Sequence, residues 1–401
     1  ALQNNFAIRQ ARERIKQQEG IVVEVSARTI PNVAADAVYQ HNDRDIAQAF
    51  PVGDRLWQIN LTASQVLYAG GGVRSAVKSS QLARDAAVLD LQAVINEALL
   101  EVRVAFYRVL LAREQIKVQE SNLALLQEQL KTATDRYDAG TVSSFEKLRA
   151  EVAVANAKVP LITARNDSRL AIESVRQALG FVTNTPESVR KVPELVGALE
   201  FTPQNFELEA AFEAARANRP DLERIAKLAD SREEAVTTAR SARYPSVAAF
   251  GGWTVRKGAT NDFGDSNNGW IVGVQSRWDI FDGRATAGRV SQARSLLEQT
   301  KLTLGEARLA VDVEVRRAHS QWQQATELAE ASARVVEQAT EAVRLANARY
   351  NAGTGTQLDV LSAQVDLTTA RTNQILAYYG YNVAVASLRK AMGQADEFIS
   401  K

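Results

Sequence analysis

Two kinds of hydrophobic pattern follow one another along the chain, and the shorter kind has a period of two. Apolar and polar residues alternate strictly over 57–64, and over 270–279 the same period leaves one face apolar. Such alternation is typical of a β-strand with one buried face. Two further strand-like segments, 33–40 and 247–256, each follow a proline. Each segment is roughly ten residues long, a length that can cross a membrane as a tilted strand. The pattern therefore predicts four strands.

The second kind of pattern is helical and very long. Residues 73–139 contain no Gly and no Pro and are rich in good helix formers. A second segment, about 284–352, is interrupted only by Gly288 and Gly305. Apolar residues in the first segment step by three or four along one narrow stripe, at Val88, Leu91, Ile95, Leu99, Val102 and Phe106. Because a lone helix of this length has no core of its own, we expect both to pack in a bundle or coiled coil.

The chain also repeats itself. The hexapeptide RYDAGT at 136–141 returns as RYNAGT at 349–354, an offset of 213 residues. Between 131–153 and 344–366, 9 of 23 positions are identical, where chance would give about one or two. Further pairs share this offset within one residue: 67–70 with 280–283, 179–180 with 392–393, and 27–31 with 241–245. We therefore predict two copies of one unit, which runs helix, strand, strand, long helix, tight turn and shorter helix.

Composition excludes several classes of protein. The 401 residues carry 48 Lys and Arg against 47 Asp and Glu, and the net charge of +1 argues against a nucleic-acid binder. The chain has no cysteine and only two histidines, His41 and His319, which leaves no thiolate or multi-histidine metal site. No acid–base cluster is assembled, so we expect no enzyme, metal or cofactor. His319 and Trp322, at i and i+3, fit core packing best. No apolar run of about 18 residues exists, so no transmembrane helix is predicted.

The positions of the tryptophans indicate where the strand-like segments could lie. Four of the five lie in the strand-like segments, where they resemble the aromatic girdle of a membrane interface: Trp57, Trp253, Trp270 and Trp278. Four strands are too few to close a membrane barrel, because the smallest single-chain barrels have about eight. An open edge in lipid would leave backbone groups unpaired. Either two hairpins cap a soluble helix bundle, or several chains pool their strands, in which case three chains would supply twelve.

At this point the sequence resembles a known family. The duplicated unit, with Arg-Tyr-x-Ala-Gly-Thr at the end of each long helix, is similar to the TolC family of outer membrane efflux proteins. The resemblance includes YPS at 244–246, WDIFDGR at 278–284 and the Leu-Gly and Met-Gly pairs at 179–180 and 392–393. It covers nearly the whole chain. The family's lipid-anchoring cysteine, present in some members, is absent here, and a trimmed chain could have lost one.

The resemblance implies an α+β membrane protein that forms a homotrimer, with a 12-stranded β-barrel in the outer membrane continued by a long α-helical barrel in the periplasm. It implies a passive exit duct of a tripartite efflux or type I secretion system. Its partners would be a periplasmic adaptor, an inner membrane pump of the RND, ABC or MFS type, and outer membrane lipid. Neither the cargo nor the pump class follows from the sequence, because a passive tunnel need not recognise what it carries.

Repeat and resemblance together divide the chain into eight segments. The first copy has a periplasmic helix at 1–30, outer membrane strands at 31–66, and a periplasmic long helix, tip turn and return helix at 67–180. An equatorial linker region follows at 181–214. The second copy has the corresponding parts at 215–244, 245–281 and 282–393, and an equatorial tail ends the chain at 394–401.

The resemblance also carries functional roles onto the turns that end the long helices. The expected adaptor contacts are Gly140, Thr141, Val142, Ser143, Gly353, Thr354, Gly355 and Thr356. Gly140 and Gly353 have a backbone reason to be there, since a helix reversal needs a residue with φ > 0.

A pore gate is expected at Asp359 and its repeat partner Glu146. A ring of three Asp359 carboxylates would favour cations, and crowding should raise the pKa of Asp359. Tyr350 is a candidate hydrogen-bond partner of Glu146. The chain departs from the family at Ser362, which holds the second acidic position, and at Gly355, which replaces an arginine that can lock the closed end. For both acids a simple helix N-terminal charge is the alternative.

Two functions from different classes remain at this point. The first is the outer membrane export duct. The second is a structural periplasmic coiled-coil scaffold without channel activity, which would be elongated, water-soluble and independent of detergent.

Overall fold

The computed structural model of the chain describes residues 2–43, 45, 54–181, 194–258 and 262–394. The chain divides into two compact units. One comprises Ala1–Ala11, Leu91–Pro220 and Arg308–Lys401, and the other comprises Arg12–Asp90 and Asp221–Ala307.

Seven helices and four strands make up the described part of the chain, apart from short turns. In order they are α1 (Phe6–Ser26), β1 (Asn32–His41), β2 (Arg55–Ala69), α2 (Gly72–Asp138), α3 (Ser144–Leu179), α4 (Leu208–Asn218), α5 (Pro220–Ser241), β3 (Ser246–Lys257), β4 (Ser266–Arg277), α6 (Ala285–Asn351) and α7 (Gln357–Ala391). Across the described ranges, none of the helices combines the length and the apolar character needed to cross a bilayer. The same ranges hold no group of three His, Cys, Asp or Glu that could bind a metal ion.

The two long helices end where the sequence breakers stand. α2 and α6 contain 67 residues each, and each end lies within one residue of its predicted position. Two residues beyond each helix, Gly140 and Gly353 take φ values of 74° and 75°. Only glycine adopts this left-handed conformation without strain, so it stops the helix and reverses the chain.

The four strands form one antiparallel sheet in the order β1-β2-β3-β4. The two hairpins share one register: Asn32 lies opposite Ser64 in the first, and Ser246 lies opposite Arg277 in the second. Residues 32 and 246 differ by 214, and residues 64 and 277 differ by 213, which are the offsets of the sequence repeat. The duplication is therefore confirmed residue by residue in the sheet.

Strand ends differ from their predicted positions. β2 runs to Ala69, five residues past the predicted end, and contains an irregularity between Val66 and Tyr68. That irregularity interrupts the alternation by which the strand was found. β4 ends at Arg277, so Trp278 lies one residue beyond the strand in which it was predicted.

The helical core is built from small side chains. A cluster between α2 and α3 consists of Ala105, Val109, Ala112, Ala171, Val175 and Ala178. Because four of these six are alanines, the two helices can approach closely. His319 and Trp322 are both buried, with ring centroids 5.2 Å apart, and His319 Nε2 lies 3.0 Å from the carbonyl oxygen of Phe206. The core-packing interpretation of this pair is confirmed.

The expected linker region is described only in part, because residues 182–193 lie outside the described residues, as do 395–401 of the expected tail. The segment before α4 packs on α7. Tyr381 Oη donates to the carbonyl oxygen of Thr202 at 2.7 Å and accepts from the backbone N–H of Gln204 at 3.0 Å. Its ring meets the edge of Phe201 at 4.7 Å. Tyr381 is one of the largest fully buried side chains, so it anchors this segment.

Candidate functional sites: a two-faced sheet and a pair of helical turns

One face of the sheet is apolar, and it is exposed. A single row across the four strands joins Ala35 to Leu61, Leu61 to Trp253 and Trp253 to Trp270. Leu61, Trp253 and Trp270 remain 51%, 47% and 75% exposed. Alternation places further side chains on this apolar face: Val33, Ala37, Tyr39, Trp57, Ile59, Ala63, Val247, Ala249, Val255, Val272 and Val274. A contiguous exposed apolar surface of this kind marks contact with lipid or with another protein.

The opposite face is mostly polar. It carries Asp36, Gln58, Asn60, Thr62, Ser64, Thr254, Arg256, Gln275 and Arg277. Asn60 Oδ1 accepts hydrogen bonds from Gln58 Nε2 at 2.7 Å and from Thr254 Oγ1 at 3.1 Å. Strands that alternate in this way, apolar outward and polar inward, are the pattern of a sheet that separates lipid from water.

Tryptophans lie near both ends of the apolar face. Trp57, at the loop end, donates from Nε1 to the carbonyl oxygen of Phe263 at 3.2 Å. Trp278, at the other end, donates from Nε1 to the carbonyl oxygen of Arg243 at 3.1 Å. From Trp270 to Trp278 the chain advances eight residues, roughly 26 Å in extended conformation. The apolar band of outer membrane strands is about 25 Å tall and is bounded by such aromatics.

Both outer strands of the sheet have a free edge. β1 and β4 are the end members of the strand order, and their residues are almost all exposed. A row of unpaired backbone N–H and C=O groups is a template for pairing with another strand.

The second candidate site is the pair of turns after the long helices, at 139–143 and 352–356. The backbone N–H and the Oγ1 of Thr141 both donate to the carbonyl oxygen of Arg136, and Thr354 does the same to Arg349. Thr141, Ser143, Thr354 and Thr356 are exposed, and Val142 is half-buried. The duplicated hexapeptide thus builds the same turn twice.

The helix ends that flank the two turns contact each other. Arg136 donates from Nη2 to Asn351 Oδ1 at 3.2 Å, and its guanidinium lies 4.5 Å from the ring centroid of Tyr350. Gln357 donates from Nε2 to the backbone carbonyl of Glu146 at 3.2 Å. These contacts hold the turns at 139–143 and 352–356 side by side, so the two turns form one surface.

One expectation about this surface needs correction. The predicted hydrogen bond between Tyr350 and Glu146 is wrong: the Tyr350 hydroxyl is buried without a partner among the described residues, and the Arg136 guanidinium lies over its ring. At Gly355, where the family pattern has an arginine, a side chain would meet Arg349 Cβ and the Tyr350 nitrogen at 3.1 Å. A side chain here would therefore be tightly packed and would require a small shift of its neighbours.

Asp359 helps to cap α7 from its third position, with Thr356 as the N-cap residue. Its backbone N–H donates to Thr356 Oγ1 at 3.3 Å, and its carboxylate accepts from the Thr356 backbone N–H at 2.9 Å, which is a capping box. Hydrogen bonds from the Thr356 backbone and hydroxyl, with the charge of Arg349, lower the pKa of Asp359 below its ordinary 3.8. The expected rise in this pKa is not seen within one chain. It requires several carboxylates in one ring and stays a prediction for the assembly.

A further carboxylate on this helix escaped the sequence argument. Asp366 is exposed and lies seven residues after Asp359, with the exposed Ser362 between them. Spacings of three, four and seven residues put all three on one face of α7. Extending the acidic pattern past Ser362 by one turn would have found it.

A polar cavity of about 200 Å³ lies behind the turns, among α2, α6 and α7. Four of its lining residues have a buried polar atom without a hydrogen-bond partner in the described part of the chain: Gln129, Tyr350, Gln357 and Gln364. Buried polar atoms are nearly always paired, so unpaired ones in one place mark a region open to rearrangement or to a polar partner.

Comparison with known proteins identifies the family of this chain. The sequence model of the outer membrane efflux protein family matches residues 1–181 and 211–394. The chain therefore belongs to the outer membrane efflux protein family, and the resemblance to TolC is confirmed. It is an efflux channel of the outer membrane that extends into the periplasm.

Individual relatives agree over most of their length. Protein CyaE of Bordetella pertussis is 26% identical over 98% of this chain and 82% of its own. Cobalt-zinc-cadmium resistance protein CzcC of Cupriavidus metallidurans is 25% identical over 92% of this chain and 82% of its own. The crystal structure of the outer membrane protein VceC from Vibrio cholerae matches the fold with a TM-score of 0.82 at 17% identity, over 98% of this chain and 94% of that one.

Proposed function

We propose that three copies of this chain assemble into one duct. Each copy offers a four-stranded sheet with one apolar face, one polar face and two free edges. Three sheets joined edge to edge give twelve strands and leave no edge unpaired, which lipid requires. The apolar faces then contact lipid, with Trp57, Trp253, Trp270 and Trp278 as the girdle, and the polar faces line the lumen. The two-faced sheet with free edges is the observation that carries this proposal.

The helices continue the duct into the periplasm. α2 and α6 each lead from a strand to a turn, and α3 and α7 return from it. Since the two turns of one chain lie side by side, three chains place six turns around the periplasmic mouth. An adaptor would grip the residues of these turns, most of which are exposed: Gly140, Thr141, Val142, Ser143, Gly353, Thr354, Gly355 and Thr356. An inner membrane pump would supply the energy that the duct itself lacks.

An acidic gate would lie on α7. Asp359 and Asp366 share one exposed face, and three copies of each would make two acidic rings one above the other. Such rings attract cations and repel anions. Ser362 lies between the rings, while Glu146 is half-buried and bound through its backbone, so its gate role is the weaker. Tyr350 would act beside the gate by holding Arg136 rather than by binding Glu146.

The cargo stays open. Among relatives, one is named for cobalt, zinc and cadmium resistance, one for alkaline protease secretion and one for pyoverdine export. Because these names differ so widely, membership of the family does not identify the cargo of this chain. The same openness holds for the pump class.

Light scattering in detergent and conductance in planar bilayers test the proposal together. The expected particle is a trimer that conducts with cation preference. Asp359→Asn combined with Asp366→Asn should reduce that preference and leave the trimer intact, while Glu146→Gln serves as the matched control and should change little. A soluble monomer that needs no detergent would overturn the duct and support the scaffold.

A further inference from the structure

In the sheet, the two halves of this chain are joined by one pair of strands, β2 and β3. This pair is a template for how the sheets of two copies could pair. β2 belongs to the first half and β3 to the second, and they pair with Ala63 opposite Gly251 and Ser64 opposite Phe250. The two hairpins have identical registers under the offsets 213 and 214. Each strand of one half thus has a defined equivalent in the other: β4 is the copy of β2, and β1 is the copy of β3.

We infer that β4 of one copy pairs with β1 of the next copy in the register that β2 makes with β3. The residue of β4 equivalent to a β2 residue has a number 213 higher, and the residue of β1 equivalent to a β3 residue has a number 214 lower. The pair Ala63–Gly251 therefore corresponds to the pair Ser276–Ala37. In the same way, the pair Ser64–Phe250 corresponds to the pair Arg277–Asp36. This inference rests on the proposed trimer and adds to it the partner of each edge and the register of the seam.

The faces of the sheet agree with this register. It sets Val274 opposite Tyr39 and Trp278 opposite Ala35, all on the apolar face. The apolar surface therefore continues across the seam. A slip of one residue would set the apolar side of one strand against the polar side of the other, which is why register is strongly specified in two-faced sheets.

Charge selects among the registers that the faces allow. Asp36 is the one carboxylate of β1, and Arg277 is the one charged residue of β4. In the single chain, the Arg277 side chain is 80% exposed, and its ion pair among the described residues is with its neighbour Asp279, at 3.2 Å. The inferred register sets Arg277 directly opposite Asp36, where opposite charges attract. A slip of two residues would keep the faces matched but would leave Arg277 opposite Ala34 or Val38.

Two equivalent glycines, Gly70 and Gly283, differ in their surroundings, and the difference shows a contact that the second half lacks within one chain. Gly70 and Gly283 have similar φ values, 58° and 63°. A side chain at Gly70 would lie 2.7 Å from the Ser241 carbonyl oxygen, whereas no described residue comes within 4 Å of the corresponding point at Gly283. The residue equivalent to Ser241 is Ala27, which the seam brings in from the next copy. Ile280 and Phe281, 84% and 86% exposed beside Gly283, would be covered by the same contact.

Disulfide trapping tests the seam, since the chain has no cysteine of its own. Ala37→Cys combined with Ser276→Cys should link copies into covalent dimers and trimers on a non-reducing gel. The matched control, Ala37→Cys with Gln275→Cys, points the second thiol to the other face and should give no link. Gln65→Cys with Ala249→Cys, which pair inside one chain, should close an internal disulfide and report that oxidation works.

Charge exchange gives a second readout. Asp36→Arg and Arg277→Asp should each lower the temperature at which the trimer dissociates, and the double exchange should restore it. If light scattering finds the trimer but the Ala37–Ser276 pair does not link, or links less than Ala37→Cys with Val274→Cys, the register is wrong and the trimer stands. If light scattering finds only monomers, the proposed assembly fails and the seam fails with it.

Discussion

The side-chain amide of Asn5 donates a hydrogen bond to the carbonyl oxygen of Ala178 at 3.0 Å. In the second half the equivalent residues are Arg219 and Ala391, and Arg219 donates from Nη1 to that carbonyl oxygen at 3.4 Å. The same junction, between the start of a helix and the end of a return helix, thus occurs in both halves but with different side chains. The second is ionic, because Arg219 also pairs with Glu314 at 2.6 Å.

The junction at Asn5 can be dissected by substitution. Asn5 is buried, and its Oδ1 also accepts from the backbone N–H of Ala7 at 2.9 Å, which caps α1. Asn5→Ala should lower the free energy of unfolding by about 2 kcal/mol, one part for the cap and one for the buried hydrogen bond. Asn5→Asp keeps the cap but cannot donate to Ala178. Denaturant unfolding in detergent should rank the two variants below the native chain; an unchanged Asn5→Asp variant would contradict the bond to Ala178.

The glycines that close these junctions should not tolerate a side chain. Gly393 has a φ of 68°, and an added side chain would lie 2.9 Å from the Asn218 carbonyl carbon. We expect Gly393→Ala to cost about 1–3 kcal/mol of unfolding free energy. Gly305, inside α6 with nothing within 4 Å, is the matched control, and Gly305→Ala should add about 0.5–1 kcal/mol. Thermal unfolding measures whether Gly393→Ala lowers and Gly305→Ala raises the stability. Equal effects of the two substitutions would contradict a special role for Gly393.

The two turns differ in one cap. Thr356 accepts from Asp359 and so caps α7, whereas Ser143 makes no side-chain cap bond at the start of α3. Thr356→Ala should therefore destabilise its helix start by about 1 kcal/mol, while Ser143→Ala should be nearly neutral. Amide hydrogen exchange at 357–360 and 144–147 measures each site separately. Faster exchange at both sites alike would count against the assignment.

The same cap predicts a pH dependence. The pKa of Asp359 is lowered below 3.8 in the folded chain by hydrogen bonds from Thr356. Its contribution to stability is therefore complete above about pH 3.8 and is lost as the pH falls through the lower folded value. Thr356→Ala should weaken this dependence without abolishing it, because the hydroxyl bond to Asp359 is lost while the backbone N–H of residue 356 still donates to the carboxylate. NMR titration of the Asp359 carboxyl checks it, and a pKa above 3.8 in the trimer would show instead the crowding of an acidic ring.

Tyr350 offers a test of the polar cavity. Its hydroxyl is buried with no partner in the described residues. Tyr350→Phe should therefore leave the unfolding free energy unchanged or raise it by up to about 1 kcal/mol, because no bond is lost. Arg136→Ala, which removes the contact with the ring and with Asn351, is the comparison and should lower it. A marked loss of stability in Tyr350→Phe would reveal a partner in the cavity or on another copy.

Much of this architecture could be predicted because it is local. Hydrophobic period located the strands, the absence of breakers located α2 and α6 within one residue of their ends, and two glycines located the turns. Two of the errors were also local in origin. β2 was predicted too short because its irregularity after Val66 breaks the alternation, and Asp366 was missed because Ser362 interrupts the acidic spacing.

The sequence by itself determined the elements and their duplication, since period, propensity and positive-φ glycines act within a few residues. Only the tertiary structure decided which side chains meet. Arg136 and Asn351 lie 215 residues apart, and Asn5 and Ala178 lie 173 apart. Those contacts depend on how helices that are remote in sequence pack against each other, and no local pattern records it. The predicted Tyr350–Glu146 hydrogen bond is wrong for the same reason: it depended on the packing of two helices remote in sequence, and the Tyr350 hydroxyl has no partner among the described residues.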